Sequence, residues 1–347
     1  MNRNTEIPKV ILIVVGAVLI IGFSTQNVFA VGPEGSMYVV NIFSDSVSVI
    51  DAKTNTVGSP IVVGNSPNAI AFDTAFKRMY VINGGDDSVS VIDTKTNTVV
   101  GSPILVGFTP FAIAFDSIHQ RMYVVNAGDD SVSVVDTKTN TVVGSPISVG
   151  NVPRAITFDP NHQRMYVVNR DDDSVSVIDT KTNTVVGSPI SVGSRPFGIA
   201  FDDKLNRMYV TSDIPTGNDM VWVIDTNTNT VIGNMLVGDG SIPIAFDSIH
   251  QRMYVGNTIS NDLSVIDTNG NRVIGSPISV GDEPRAIAFD SIHQRMYVTI
   301  SNDDSVAVID TNTNTVIGLP LFGGVNPDAI AFAPPLKTTN VFGLSLP

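Results

Sequence analysis

Residues 171–193, DDDSVSVIDTKTNTVVGSPISVG, differ from residues 128–150, GDDSVSVVDTKTNTVVGSPISVG, at only two positions. Within this phrase the strict alternation of Ser and Val in SVSVID is the pattern of a strand with two unlike faces, and the following Asp-Thr-Lys-Thr-Asn is turn chemistry. The next run, NTVVGSPISV (183–192), is strand-like but carries Pro189. Proline lacks the ladder donor, so this run belongs at a sheet edge. Two further strands precede the phrase, RAITFD (154–159) and RMYVVN (164–169). The unit is therefore four strands, here termed inner, second, third and outer.

Met-Tyr marks the second strand of each unit, at Met37, Met79, Met122, Met165, Met208, Met253 and Met296, with a prevailing step of 43 residues. A period in that range with four strands per repeat is the signature of a propeller blade. One blade cannot bury both of its faces, and stacking copies around a ring does so without leaving a long free edge. The short, Ala-rich inner strand suits the crowded axis. Prolines 60, 103, 146, 189, 277 and 320 place the fourth run at the rim.

The chain enters the pattern at a second strand (Met37) and leaves it at a seventh inner strand, DAIAF (328–332). That last strand is expected to complete the blade begun by residues 37–62. Asp73, Asp116, Asp159, Asp202, Asp247 and Asp290 end the other inner strands, and Arg78, Arg121, Arg164, Arg207, Arg252 and Arg295 open the strands that follow. In the composite blade Ala333 and Ser36 take these places. The Asp/Arg pairs read as cross-hairpin salt bridges or turn clamps.

The motifs MYVVN, SVSVIDTKTNTVVGSPI and P-x-AIAFD resemble the YVTN β-propeller repeat of archaeal surface-layer proteins and bacterial periplasmic relatives, over nearly everything from residue 37 to 333. The resemblance implies an all-β, seven-bladed β-propeller with four antiparallel strands per blade, in an extracytoplasmic setting. It implies no settled activity, because propellers are scaffolds for unrelated sites. Some similar propellers carry lactonase or quinone-cofactor chemistry. The Gly-His and Trp-Asp signatures of WD40 repeats are missing.

The ends define three expected segments. Arg3 and Lys9 precede VILIVVGAVLIIGF (10–23), and a polar stretch leads to VFA ending at Ala30. This is the order of a secretory signal peptide, residues 1–30, with an uncleaved anchor through 10–23 as the alternative. The propeller is assigned to 31–333 and a C-terminal tail to 334–347. The repeats are expected outside the cytoplasm, secreted or on the cell surface.

A net charge of −13 excludes a phosphate-tracking nucleic-acid binder, which needs a basic stripe. With no cysteine there are no disulfides, thiolate metal sites or Cys nucleophiles. No G-x-S-x-G elbow, P-loop or dinucleotide fingerprint occurs in a strand-to-helix context. His119, His162, His250 and His293 occupy one repeat position in successive blades, too far apart to share a zinc ion, and read as solvated loop residues. The Asp-Thr-x-Thr-Asn stretches read as turns rather than calcium loops. Acidic loops after the second strands (Asp45, Asp86/Asp87, Asp129/Asp130, Asp171–Asp173, Asp219, Asp262, Asp303/Asp304) give one face of the disc a negative potential.

The informative positions are those where the repeat does not repeat. Just inside each inner strand, at the expected mouth of the axial channel, stand Asn68, Phe111, Arg154, Phe197, Ile242, Arg285 and Asp328. Arg154 between two phenylalanines suits an acidic or aromatic group, by charge-assisted hydrogen bonds and stacking. The structural alternative is that Arg154 pairs with the Asp171–Asp173 loop while the phenylalanines plug the channel. The longer loop in TSDIPTGNDMVWVID (211–225), before the sole tryptophan, Trp222, is a second contact candidate. These features favour a non-catalytic binding or structural module, part of a cell envelope or surface layer. A protein or an envelope glycan or polymer is the expected partner, with no nucleic acid, no metal, no cofactor, and a membrane only through an uncleaved N-terminal segment. The alternative is an extracytoplasmic lactonase-like hydrolase or a quinone- or metal-dependent oxidoreductase using the same mouth. Arg285 beside Asp328 and Asn68 works against a divalent cation there.

Overall fold

Met and Tyr are adjacent in each second strand, so they point to opposite faces of the blade. Tyr80, Ile82, Val89 and Val91 of one blade form a single apolar cluster with Met122, Val124 and Val135 of the next. Both residues of the pair are fully buried in all seven copies. The repeat thus writes one half of each inter-blade core onto each face, and stacking assembles the halves.

In the computed structural model, which describes residues 35–335 apart from 215, 216 and 218, these clusters run around a closed ring of seven sheets. The expected signal peptide (1–30) and positions 336–347 of the expected tail lie outside the described residues. The first complete blade comprises Pro67–Asp73, Arg78–Asn83, Ser88–Asp93 and an outer edge in two pieces, Thr98–Val99 and Ile104–Leu105. Five blades with the same antiparallel order follow, with inner strands Pro110–Asp116, Pro153–Asp159, Pro196–Asp202, Ser241–Asp247 and Pro284–Asp290. We number these blades 1 to 6. Blade 7 is composite: the last strand, Pro327–Ala333, pairs antiparallel with the first, Ser36–Asn41, in the register Val39↔Ile330 and Ser36↔Ala333. The fold is an all-β seven-bladed propeller closed by its two ends.

Polar links repeat with the same seven-fold order. Each Tyr hydroxyl donates to an Asn side-chain oxygen in the turn between the third and outer strands of the next blade. These bonds span 2.5–2.9 Å: Tyr38 to Asn97, Tyr80 to Asn140, Tyr123 to Asn183, Tyr166 to Asn229, Tyr209 to Asn271, Tyr254 to Asn314 and Tyr297 to Asn55. The seven asparagines all have φ between 48° and 57°. Asn suits this left-handed position because its short amide tolerates the conformation while still presenting an acceptor.

The Asp/Arg pairs serve two separate joints rather than a mutual clamp. They are register partners, as in Asp73↔Arg78. However, Asp116 Oδ1 accepts the turn N–H groups of Ile118 and His119, at 2.8 and 3.0 Å, whereas Arg121 reaches Thr180 O in the following blade at 3.2 Å. The Asp therefore folds its own hairpin loop. Ala333 replaces it where no such loop exists, since the chain ends of blade 7 are not joined.

Candidate functional site

Seven residues are placed at the channel mouth by one backbone device. Every inner strand breaks register at its second position, as where Pro153 pairs with Asn169 but Ala155 pairs with Val168, leaving Arg154 as the extra residue of a β-bulge. Equivalent shifts occur in the other six blades. A bulge frees a side chain from the pleat and re-aims it. The bulges therefore release Asn68, Phe111, Arg154, Phe197, Ile242, Arg285 and Asp328 from the packing between blades, and all seven are half-buried.

Three of them meet. The Arg154 guanidinium lies over the Phe111 ring, 4.4 Å from its centroid, and Phe111 packs edge-on against Phe197 with centroids 5.9 Å apart and an interplanar angle of 77°. Arg154 Nε is buried without a hydrogen-bond partner. Burial, reinforced by Arg170, depresses the Arg154 pKa, with Asp171 opposing. Asp171 itself pairs with Arg170 at 3.5 Å.

Across the mouth the charges are organised differently. Arg285 forms an ion pair with Glu283, two residues earlier. Asp328, on the neighbouring blade, is raised above its usual pKa by burial, with Arg285 lowering it and Glu283 raising it further. Asn68 donates from Nδ2 to Pro110 O at 3.1 Å, and its Oδ1 is buried without a partner. Ile242 contributes its backbone oxygen to Thr211 Oγ1 at 3.0 Å. Below the mouth, inner strands of all seven blades line a cavity of about 270 Å³, walled by Ala and Ile with Phe111 and Arg285 at its lip. The arrangement offers an axial cavity of mixed polarity beside one stacked cation and one acid-base cluster.

Glu283 escaped the sequence reading. The signal lay one column over: the residue before each inner-strand Pro is Ser66, Thr109, Val152, Arg195, Glu283 and Asn326, and Glu283 is its only acid.

Trp222 stands apart from the seven. It lies on the third strand of blade 4, packed at the interface with blade 3. A Cβ on Gly193 would come within 2.2 Å of the indole Nε1, so the tryptophan needs a bare backbone there. In most blades the equivalent space holds a polar clamp, such as Asn83 Nδ2 bonded to Ser88 and Ser90. Blade 4 has Ser212 and Trp222 at the corresponding places.

The acidic loops are committed to holding the disc together. One acceptor per loop takes a backbone N–H from the residue leading into the next blade: Asp45 from Ser66, Asp87 from Thr109, Asp130 from Val152, Asp173 from Arg195, Asp219 from Ser241, Asn261 from Glu283 and Asp304 from Asn326. A second carboxylate, as in Asp86 with the Asn65 N–H, ties the loop to its own blade. The longer blade 4 loop keeps this tether through Asp219, which is buried and also accepts from Ile214 N. Among the described residues no three His, Asp or Glu side chains converge as a metal site.

The histidines are structural in a more specific way than solvated loop residues. Each Nδ1 lies 2.6–2.7 Å from Oδ2 of the buried Asp that ends the preceding strand: His119 on Asp116, His162 on Asp159, His250 on Asp247 and His293 on Asp290. Blades 1 and 4 carry Phe76 and Leu205 at that position, and there Asp73 Oδ2 and Asp202 Oδ2 are buried without a partner.

The fold is a closed seven-bladed β-propeller with a candidate site at its axial mouth. Residues 29–190 match the family model described as lactonase, 7-bladed beta-propeller, and over that stretch the chain is similar to this family. A PE-PGRS family protein of Mycobacterium tuberculosis is 47% identical over 49 residues, about the length of one blade. That match covers 14% of this chain and 11% of the relative, so the chain accounts for only a small part of it. Among solved structures, Kuenenia stuttgartiensis hydrazine synthase superposes with a TM-score of 0.68 at 20% identity, covering 76% of this chain and 89% of that one. A Bacteroides uniformis protein described as a candidate 6-phosphogluconolactonase superposes with a TM-score of 0.73 at 12% identity, covering 87% and 100%. At such identities these likenesses speak to the fold.

Proposed function

We propose that this chain is a non-catalytic, extracytoplasmic binding module, held at or near the cell envelope, whose axial mouth recognises an acidic group carried on a flat or apolar body. An acidic sugar of an envelope polymer has this chemistry. The observation that carries the reading is Arg154: its guanidinium is stacked on Phe111, and its Nε is buried with no partner. A half-buried cation with unspent donor capacity costs stability, and a charge-assisted contact with a carboxylate offsets that cost. The signal-peptide-like order of residues 1–30 supports the location. The test is calorimetric titration of the purified protein with acidic and matched neutral oligosaccharides. Binding of the acidic series only, weakened at least about tenfold by Arg154→Ala, is the expected result. Equal binding of both series, or no effect of the substitution, overturns it.

A lactone hydrolase is the second reading. It is favoured by the family match over residues 29–190 and by Asp328, whose raised pKa suits a general base at the same mouth. Turnover of simple lactones that disappears in Asp328→Asn, while Arg154→Ala retains it, would select this reading over the first.

A further inference from the structure

The seam between blade 6 and the composite blade 7 departs from the repeat on both sides. The other six blades leave their outer strand through a valine followed by a glycine, at Val63, Val106, Val149, Val192, Val237 and Val280. Blade 6 has Gly323 and Gly324 instead. The residue before them, Phe322, stands where blades 2, 3 and 5 have Ser148, Ser191 and Ser279, and it is 66% exposed. Blade 7 is pared back as well: its outer edge is one residue shorter than that of blade 1. Gly58 N donates to Val49 O at 2.8 Å where, in blade 1, Val100 N donates to Val91 O, so a glycine takes the place of a valine.

Between these edges lies a pocket of about 330 Å³, walled by Val57, Pro60, Val62, Phe322 and Val325, with Asn41 and three serines completing it. None of the residues lining it is charged. Asn41, 1% exposed, ends the second strand of blade 7. In blades 1, 2 and 3 the equivalent Oδ1 accepts a glycine N–H, from Gly64 to Asn83 at 3.0 Å, Gly107 to Asn126 at 3.2 Å and Gly150 to Asn169 at 3.1 Å. The equivalent glycine of blade 7 is Gly324; it has a φ of 120°, and Asn41 Oδ1 is buried without a partner. Asn41 Nδ2 donates to Ser48 Oγ at 3.0 Å, which fixes the amide and leaves its oxygen as the unspent end. Asn257 Oδ1 of blade 5 is bare too, but the residues leading to it, Val237 and Gly238, keep the usual exit.

We propose that this seam is a second binding site, separate from the axial mouth, for an uncharged aromatic small molecule carrying one N–H or O–H donor. A buried acceptor without a donor costs stability, and the ligand's donor removes that cost. It reaches Asn41 Oδ1 past Gly324, where a Cβ would collide with that oxygen. The ring of the ligand packs among the valines and Pro60 and meets the Phe322 ring at the lip. With no charged group in the lining, an ionised ligand would lose its hydration without a partner, so the site selects a neutral one. The pocket stands near the lower end of the size range of small-molecule sites, which suits a single compact body.

Indole is the probe, and 1-methylindole, which keeps the ring system and loses the donor, is its control. Calorimetric titration of the full chain should show one saturable indole site, with 1-methylindole bound at least about threefold more weakly. Phe322→Ser, which installs the residue of blades 2, 3 and 5 at an exposed position, should weaken indole binding by at least about threefold. Leu105→Ser, the same change at the corresponding position of blade 1, should leave it unaltered. No saturable binding of indole, equal affinity for the two probes, or equal effects of the two substitutions would each overturn the proposal.

Discussion

The Tyr297 hydroxyl donates to Asn55 Oδ1 at 2.9 Å across 242 residues of chain. The same bond joins every other pair of adjacent blades at sequence separations of 59 to 63. Among the described residues the ring is therefore closed by the interaction that builds it, together with the strand pair Ser36–Asn41 and Pro327–Ala333.

Removing one of these hydroxyls should cost the same wherever it lies. Tyr123→Phe leaves Asn183 Oδ1 only the long contact from Arg121 Nη1 at 3.4 Å, for a loss of about 1–3 kcal/mol. Urea unfolding of Tyr123→Phe and Tyr297→Phe should give losses within about 0.5 kcal/mol of each other. A much smaller loss for Tyr297→Phe would mean that closure contributes little.

Alkali should open the ring. Burial pushes Tyr80, Tyr123, Tyr166, Tyr209 and Tyr254 up to about 12 from 10.0. Between those limits the unfolded chain releases phenolic protons that the native state retains, so stability is whole below pH 10.0 and is lost as pH rises through about 12. Thermal melts across this range should fall steeply, with the tyrosinate absorbance rising together with unfolding.

Acid acts on the turns. Hydrogen bonds from the Thr139 and Thr182 backbones hold Asp136 and Asp179 below the ordinary aspartate value of 3.8. Their contribution is present above pH 3.8 and is lost as pH falls through the depressed folded values. These carboxylates are only partly buried, so the acid limb should be shallower than the alkaline one. Circular dichroism melts at descending pH would read the difference.

Blades 1 and 4 can be repaired. Phe76→His and Leu205→His should each supply the donor that Asp73 and Asp202 lack, raising stability by about 0.5–1.5 kcal/mol. His119→Phe should do the reverse to Asp116, at a cost of about 1–3 kcal/mol. Calorimetric melting temperatures moving in opposite directions would bear this out.

Arg154 is expected to trade stability for recognition. Arg154→Met keeps the stem packed on Phe111 and removes the unpartnered Nε, so unfolding should become neutral to about 1 kcal/mol more costly. Binding of acidic ligands should fall in the same variant. A destabilised Arg154→Met protein would mark the residue as structural.

What was legible in the sequence is what the repeat writes identically each time. The period, the alternation in SVSVID, the rim prolines and the offset between Met37 and the last DAIAF run gave the seven blades and their closure, because strand pairing depends only on local pattern and phase. The column of seven variable residues that the bulges release was legible too, since variation stands out against a constant background. The partners were not. The repeat cannot say that Tyr123 reaches forward to Asn183, or that Arg121 serves Thr180 rather than Asp116, because those bonds cross to residues about 60 positions away and are set by how blades stack. Nor could it say that Phe111, Arg154 and Phe197 touch while Trp222 stands apart. A bulge turns a side chain by breaking register with its neighbour, and register exists only between strands already paired.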